Sequence, residues 1–255
     1  MRFASLGSGS RGNATLVTSG ETTVMIDCGF SAREAEKRLQ MLGVDPHHLS
    51  ALLVTHEHAD HMAGIRVMAR KYRLPVYTTP GTAGCLPEDV APHIKTFNCH
   101  ETFSIKDLEV EPFPVPHDAR EPSQFVFGDG QHRLGLLTDV GSITPLIEQI
   151  LSGCHGLLLE ANHDMMMLEQ GEYPEHLKRR VGGRLGHLNN VQSASLLEKI
   201  DTTNLQHIMA MHISEKNNCP SLVVPLLADA LACEHDWIGI ADQEAGFDWR
   251  EITNR

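Results

Sequence analysis

Three histidines and an aspartate fall within six residues at His56-Glu57-His58-Ala59-Asp60-His61, close enough for one loop to turn all four donors toward one point. Neutral imidazoles and a carboxylate suit zinc, manganese or iron. Four donors from one loop exceed what a single open catalytic site takes, so the spacing of His56, His58, Asp60 and His61 points to two divalent ions. With 16 histidines in the chain, a fixed His-x-His-x-Asp-His pattern should arise by chance in roughly a few of every thousand such sequences, so accident explains it poorly. Ions held this way acidify water and polarise a carbonyl or phosphoryl oxygen, which is the chemistry of hydrolysis.

Further candidates stand where strands run out. Asp27 follows Thr23-Val24-Met25-Ile26, His117 emerges beside Pro114 and Pro116, Asp139 ends a strand, and His212 ends Ile208-Met209-Ala210-Met211. A lone loop histidine is ordinarily solvated, so His117 counts only in company with other ligands. An aspartate between two ions can give one oxygen to each, which suits Asp139. Two polar clusters interrupt apolar stretches: Glu160-Ala161-Asn162-His163-Asp164 and Gly186-His187-Leu188-Asn189-Asn190. Just before the second lie Lys178, Arg179, Arg180 and Arg184, either a solvated helical face or a cradle for backbone phosphate.

The elements that must position these residues are legible in outline. Ala51 to Val54 reads as a covered strand running into the histidine loop. Arg2 to Leu6, Ala14 to Ser19 and Thr22 to Ile26 read as an opening meander, whose Gly7-Ser8-Gly9-Ser10-Arg11-Gly12-Asn13 loop lacks a P-loop lysine and reads as a plain turn. A helix should start at Ser31, with Glu34 completing a capping box, and stop at Gly43. Met62 to Tyr72 has helical spacing and Pro75 to Thr78 returns as a strand, a parallel α/β unit. Ile94 to Val115 alternates in short segments, Ser123 to Phe127 pairs with Arg133 to Leu137 as a hairpin, and a helix runs from the His187 cluster through Leu196 and Leu197. Strand-rich segments followed by helices that need a sheet face to cover predict an α/β protein built as a four-layer αββα sandwich.

Composition narrows the setting. With 255 residues and 41% hydrophobic content, one domain spanning 1-255 is the expectation. The formal charge of −12 opposes general attraction to nucleic acid or anionic membrane, although bound cations and a basic patch can reverse the sign at one site. Six cysteines without a Cys-x-x-Cys pair, and an amino terminus without a signal-peptide core, predict a cytoplasmic protein with reduced thiols. No apolar run is long enough to span a bilayer, and oligomeric state is not legible.

Taken in order, Asp27, His56-x-His58-x-Asp60-His61, His117, Asp139 and His212 resemble the five motifs of the metallo-β-lactamase superfamily. The resemblance implies a four-layer fold with His56, His58 and His117 on one metal, Asp60, His61 and His212 on the other, Asp139 bridging, and Asp27 bracing the metal loop from behind. Zinc, manganese and iron all fit such ligands. Glu160 and His187 resemble the acidic residue and histidine implicated in leaving-group protonation in ribonuclease Z-type phosphodiesterases. The Gly7 to Asn13 loop, the two polar clusters and His212-Ile213-Ser214-Glu215-Lys216-Asn217-Asn218 together look most like the YycJ/WalJ-type branch, associated with 5′ to 3′ exonuclease activity on double-stranded DNA.

That resemblance implies a dinuclear phosphodiesterase with DNA as substrate, His187 as general acid, Glu160 orienting it and Asp60 helping to orient the nucleophile. Hydrolysis of a small phosphodiester or a thioester would use the same metals. A non-catalytic metal-dependent regulatory or binding protein would be favoured by loss of a ligand, and all seven are present.

Overall fold

The computed structural model describes residues 1–254. Its first half comprises β1 (Arg2–Gly7), β2 (Ala14–Ser19), β3 (Thr22–Ile26), α1 (Ala32–Met41), β4 (Ala51–Leu53), α2 (Ala59–Met62), α3 (Ile65–Tyr72), β5 (Val76–Thr78), α4 (Pro80–Ala83) and β6 (Ile94–Thr96). The second half runs β7 (Phe103–Ile105), β8 (Leu108–Pro114), β9 (Ser123–Gly128), β10 (Arg133–Leu137), α5 (Pro145–Leu151), β11 (Gly156–Glu160), α6 (Met165–Gln170), α7 (Glu175–Val181), α8 (Asn190–Lys199), β12 (His207–Met211), α9 (Pro220–Leu231), β13 (Ile238–Ile240) and β14 (Phe247–Glu251). Two seven-stranded sheets result, ordered β14-β1-β2-β3-β4-β5-β6 and β13-β12-β11-β10-β9-β8-β7.

Strand alternation divides the apolar residues among three layers of core. Phe3, Val24 and Leu53 from the first sheet meet Phe125, Leu136, Leu158 and Met209 from the second in the space between them. Their neighbours on the opposite faces go outward: Leu16, Met25 and Leu52 pack under α1 and α3, while Leu157, Leu159 and Ala210 pack under α5, α8 and α9. Both sheets are covered on both faces, which gives the four-layer αββα sandwich the strand and helix order predicted.

Two local expectations differ from what the chain does, and one strand was not foreseen. At α1, Ser31 accepts from the Glu34 amide, but the Glu34 carboxylate goes to Arg38 four residues on, so only half of the capping box forms. The predicted Met62 to Tyr72 helix is two helices broken at Gly64. There a Cβ would lie 2.5 Å from both Cys28 Sγ and the Phe30 carbonyl, so the chain passes too close to the β3 loop for any side chain. The carboxyl-terminal β14 returns to pair antiparallel with β1, and no motif announced it.

Parallel pairing runs through β3, β4, β5 and β6 in one sheet and through β10, β11, β12 and β13 in the other. Open parallel sheets keep their sites beyond the carboxyl ends of the strands, and those of β3, β4, β10, β11 and β12 carry the candidate residues.

Candidate metal centre

Asp27, Asp139 and His212 leave their strands through backbone rarely used by side-chain-bearing residues. Their φ angles are 60°, 53° and 50°. Such left-handed turns cost free energy and cluster where a site over-determines them. Here they turn each side chain off the alternating strand course toward one point. All three are almost fully buried.

The proton positions of the histidine loop follow from its hydrogen bonds. The Thr55 hydroxyl donates to Asp27 Oδ2 at 2.8 Å, so at 3.0 Å from His56 Nδ1 it must accept. His61 Nδ1 likewise gives its proton to Asp27 Oδ2 at 2.7 Å, and the Thr55 amide binds Asp27 Oδ1 at 2.8 Å. Asp27 therefore braces the loop and sets both tautomers, so that in the neutral imidazoles of His56 and His61 the lone pair falls on Nε2. His117 Nδ1 donates to the Gly186 carbonyl at 3.0 Å, which frees its Nε2 in the same way.

These nitrogens fit a metal. His56 Nε2 is buried without any hydrogen-bond partner. His117 Nε2 and His58 Nδ1 lie 3.3 Å apart. A proton on His58 Nδ1 bridges the pair as a hydrogen bond, and a cation in its place fits the same spacing, because ~2.0–2.1 Å bonds in a tetrahedron put ligand nitrogens ~3.3–3.4 Å apart. His56, His58 and His117 form one group whose ligand atoms all fall within 4.8 Å of one another; His56, His61 and Asp139 form a second, and Asp139, Glu160, His187 and His212 a third. Asp60 Oδ2 stands 3.7 Å from His61 Nε2 and 4.0 Å from His212 Nε2, and Asp139 Oδ2 stands 3.3 Å from His61 Nε2 and 3.1 Å from His212 Nδ1. All seven predicted ligands are thus brought together, with Asp139 beside both histidine groups.

Burial, helped by the neighbouring imidazoles, holds His56 well below the usual histidine range, and burial lowers His117, so both stay neutral as ligands must. At His61 burial also opposes charge, but Asp139 and Asp27 overcome it and raise the imidazole well above its ordinary value. Asp139 is held well below the carboxylate range by His212 and His61 against the opposing effect of its burial.

Glu160, fully buried, makes four contacts: Oε1 accepts from the Asp139 amide (3.1 Å) and His187 Nδ1 (2.8 Å), and Oε2 from the Val140 (3.2 Å) and Leu188 (2.9 Å) amides. Four donors exhaust the lone pairs of a carboxylate. Glu160 is therefore a poor ligand despite its place in the third group, and it orients His187 instead. Burial works against the His187 charge, yet Glu160, with Asp139, pushes the imidazole up to about 9.

The ligands open into a cavity of about 370 Å³ whose walls include Asp60, Asp118, Tyr173, Arg180 and His187. The basic cluster divides. Arg180 lines this cavity and pairs with Asp118 at 2.5 Å, beside His117. Lys178 and Arg179 line a separate groove with His163, Met165 and Met166, and Lys178 is held by the Glu169 carbonyl at 2.6 Å. Arg184 meets Ser142 through its backbone carbonyl only. One cradle made of all four cations is not what the helix builds.

The glycine-rich loop, expected to be a plain turn, buttresses the site. The Ser8 hydroxyl accepts from the His212 amide at 2.9 Å, and the Asn13 amide donates to the Asp60 carbonyl at 2.8 Å. Arg11 makes a two-bond contact to Glu215 in the loop after His212. No spacing rule flags such support, because its partners lie 47 to 204 residues away. Asn189, in the cluster after His187, closes a reciprocal capping box with Gln192 at the head of α8.

A family model described as the Beta-lactamase superfamily domain matches residues 22–213. The chain is 35% identical to the exodeoxyribonuclease YycJ of Bacillus anthracis over 227 residues, covering 87% of this chain and 86% of that protein. It is 30% identical to the exodeoxyribonuclease WalJ of Streptococcus pneumoniae over 247 residues, 94% of this chain and 91% of the other. Among solved structures, the metallo-β-lactamase fold protein YhfI from Bacillus subtilis superposes with a TM-score of 0.73, covering 98% and 99% of the two chains at 16% identity, a likeness of fold.

Proposed function

The chain belongs to the β-lactamase superfamily, and from that premise we propose that it is a divalent-metal-dependent exodeoxyribonuclease, with the 5′ to 3′ action on double-stranded DNA that the YycJ/WalJ-type branch implies. The carrying observation is the buried Glu160–His187 pair set directly against the ligand cluster, in a chain similar over most of its length to two exodeoxyribonucleases. The reading takes two ions: His56, His58 and His117 would hold one, Asp60, His61 and His212 the other, and Asp139 both. Zinc, manganese and iron each suit this donor set.

When bound, the ions supply an acidified water and neutralise charge on the phosphoryl group. The remaining steps belong to side chains. His187, protonated on the nitrogen opposite Glu160, gives its proton to the departing deoxyribose oxygen, an assistance worth on the order of 10²- to 10⁴-fold. Glu160 keeps Nδ1 as donor and stabilises the imidazolium. Asp60, about a quarter exposed at the cavity edge, orients the attacking water. Arg180 exchanges its contact with Asp118 for a substrate phosphate, which an arginine can grip with two parallel bonds. Lys178, Arg179 and Arg184 serve polymeric substrate only through longer-range attraction.

The deciding experiment offers metal-loaded protein end-labelled duplex DNA, bis-p-nitrophenyl phosphate and a thioester. Progressive release of nucleotides from the duplex, abolished by chelator, supports the reading. Cleavage of the thioester or the small diester with intact DNA would transfer the site to a small-molecule hydrolase, and metal binding without turnover of any substrate to a binding protein.

A further inference from the structure

The cavity has an apolar side that the ligand chemistry does not use. Leu177 and Val181, on one face of α7, line it together with Tyr173, four residues before Leu177. Tyr173 is the sole Phe, Tyr or Trp among the residues lining this cavity. It is half-buried and belongs to none of the three apolar cores, so packing does not account for it.

Its position is nevertheless held. The Lys216 ammonium lies 5.7 Å from the ring centroid, and Lys216 follows His212 by four residues. The two loops are tied nearby: the Asp164 amide donates to the Asn217 carbonyl at 2.9 Å, and a Cβ at Gly171 would come within 2.8 Å of Asn217 Oδ1. A cation on an aromatic face orients the ring. The stretch after His212 thus holds the ring from one face, in a residue that lines the space where phosphate chemistry is proposed.

We infer that Tyr173 is the stacking platform for the terminal base of the strand being cut, with Leu177 and Val181 completing its seat. The inference rests on the exonuclease reading and adds the reason for attack at an end. At about 370 Å³ the cavity sits near the lower limit of ~300–1,000 Å³ ligand clefts, room for one nucleotide and not for a run of stacked bases. Stacking is indifferent to base identity, so the platform suits degradation without sequence preference.

The test measures KM and kcat on duplexes whose terminal nucleotide at the attacked end is normal or abasic, for the wild-type protein, Tyr173→Ala and Tyr173→Phe, with metal content determined for each. The wild-type KM should be about 5- to 150-fold lower for the normal end, the range that base–aromatic stacking spans. Tyr173→Ala should erase that difference, and Tyr173→Phe, which keeps the ring, should retain it. Equal effects of Tyr173→Ala on both ends, or a wild-type protein indifferent to the missing base, overturns the platform while leaving the exonuclease intact. A wild-type protein that degrades neither duplex overturns the exonuclease reading itself.

Discussion

His187 is where a phosphodiesterase and a mere metal binder part. His187 is not among the proposed ligands, and without it Glu160 keeps three backbone donors, so His187→Ala should keep its metals and fold, yet lose about 10² or more in kcat on DNA, whose alkoxide leaving group needs a proton. On a p-nitrophenyl diester, whose leaving group departs unprotonated, the loss should be much smaller. His56→Ala removes a proposed ligand whose buried Nε2 has no hydrogen-bond partner, so metal content and both activities should fall together; metal analysis beside the two assays separates the cases. His187 also leaves a mark on stability. Its imidazole is raised from 6.5 to about 9 in the folded metal-free protein, so the stabilisation it gives is complete below about pH 6.5 and disappears as pH rises through about 9. Urea midpoints of the metal-free protein should therefore separate wild-type from His187→Gln more widely at about pH 6 than above about pH 9.5.

At the scale of the element, α7 sorts its charges by helical angle. Arg180 shares the cavity face with Leu177 and Val181, whereas Lys178 and Arg179 turn to the neighbouring groove. Arg180→Glu should raise the KM for DNA by an order of magnitude or more and flatten its dependence on salt, because a phosphate contact becomes a repulsion. Reversing Lys178 and Arg179 together should do much less at physiological salt, where charges beyond about 8 Å are screened. Equal effects of the two variants would return phosphate binding to the whole cluster. Gly29 marks a second element-level constraint, since a Cβ there would run into the Asp60 carbonyl and push the metal loop off Asn13.

The whole molecule closes on itself around the inter-sheet core, to which Phe3 and Leu53 contribute from one half and Phe127 and Met211 from the other. With β14 returning to β1, neither half keeps a complete core alone, and we expect one domain that unfolds in a single cooperative transition in calorimetry. Metal should raise that transition by mass action, by about 2.7 kcal/mol for each site at a hundredfold excess over its Kd, and two equivalents per chain should bind at saturation. A plateau at one equivalent would remove the dinuclear proposal. Among the described residues no helix is long and apolar enough to cross a membrane, and the six cysteines form no disulfide.

The candidate ligand set, the parallel α/β unit around it and the layered fold were legible in the sequence, because these are local: a donor set is written in side-chain types, and a strand or helix in the period of its apolar residues. His56, His58, Asp60 and His61 needed no structure to be read as metal ligands. The tertiary structure decided everything that depends on distant segments meeting. Thr55 and Asp27 fix the histidine tautomers only once β3 and β4 pair, the Ser8 loop supports His212 only across 204 residues of chain, and Glu160 is occupied by the amides of Asp139, Val140 and Leu188 and by His187, which two other segments bring to it. It also separated Arg180 from Lys178 and Arg179, because residues one or two apart on a helix face different ways. A run of like charges shows how many cations are present, and their placement around a helix axis determines which of them reaches the site.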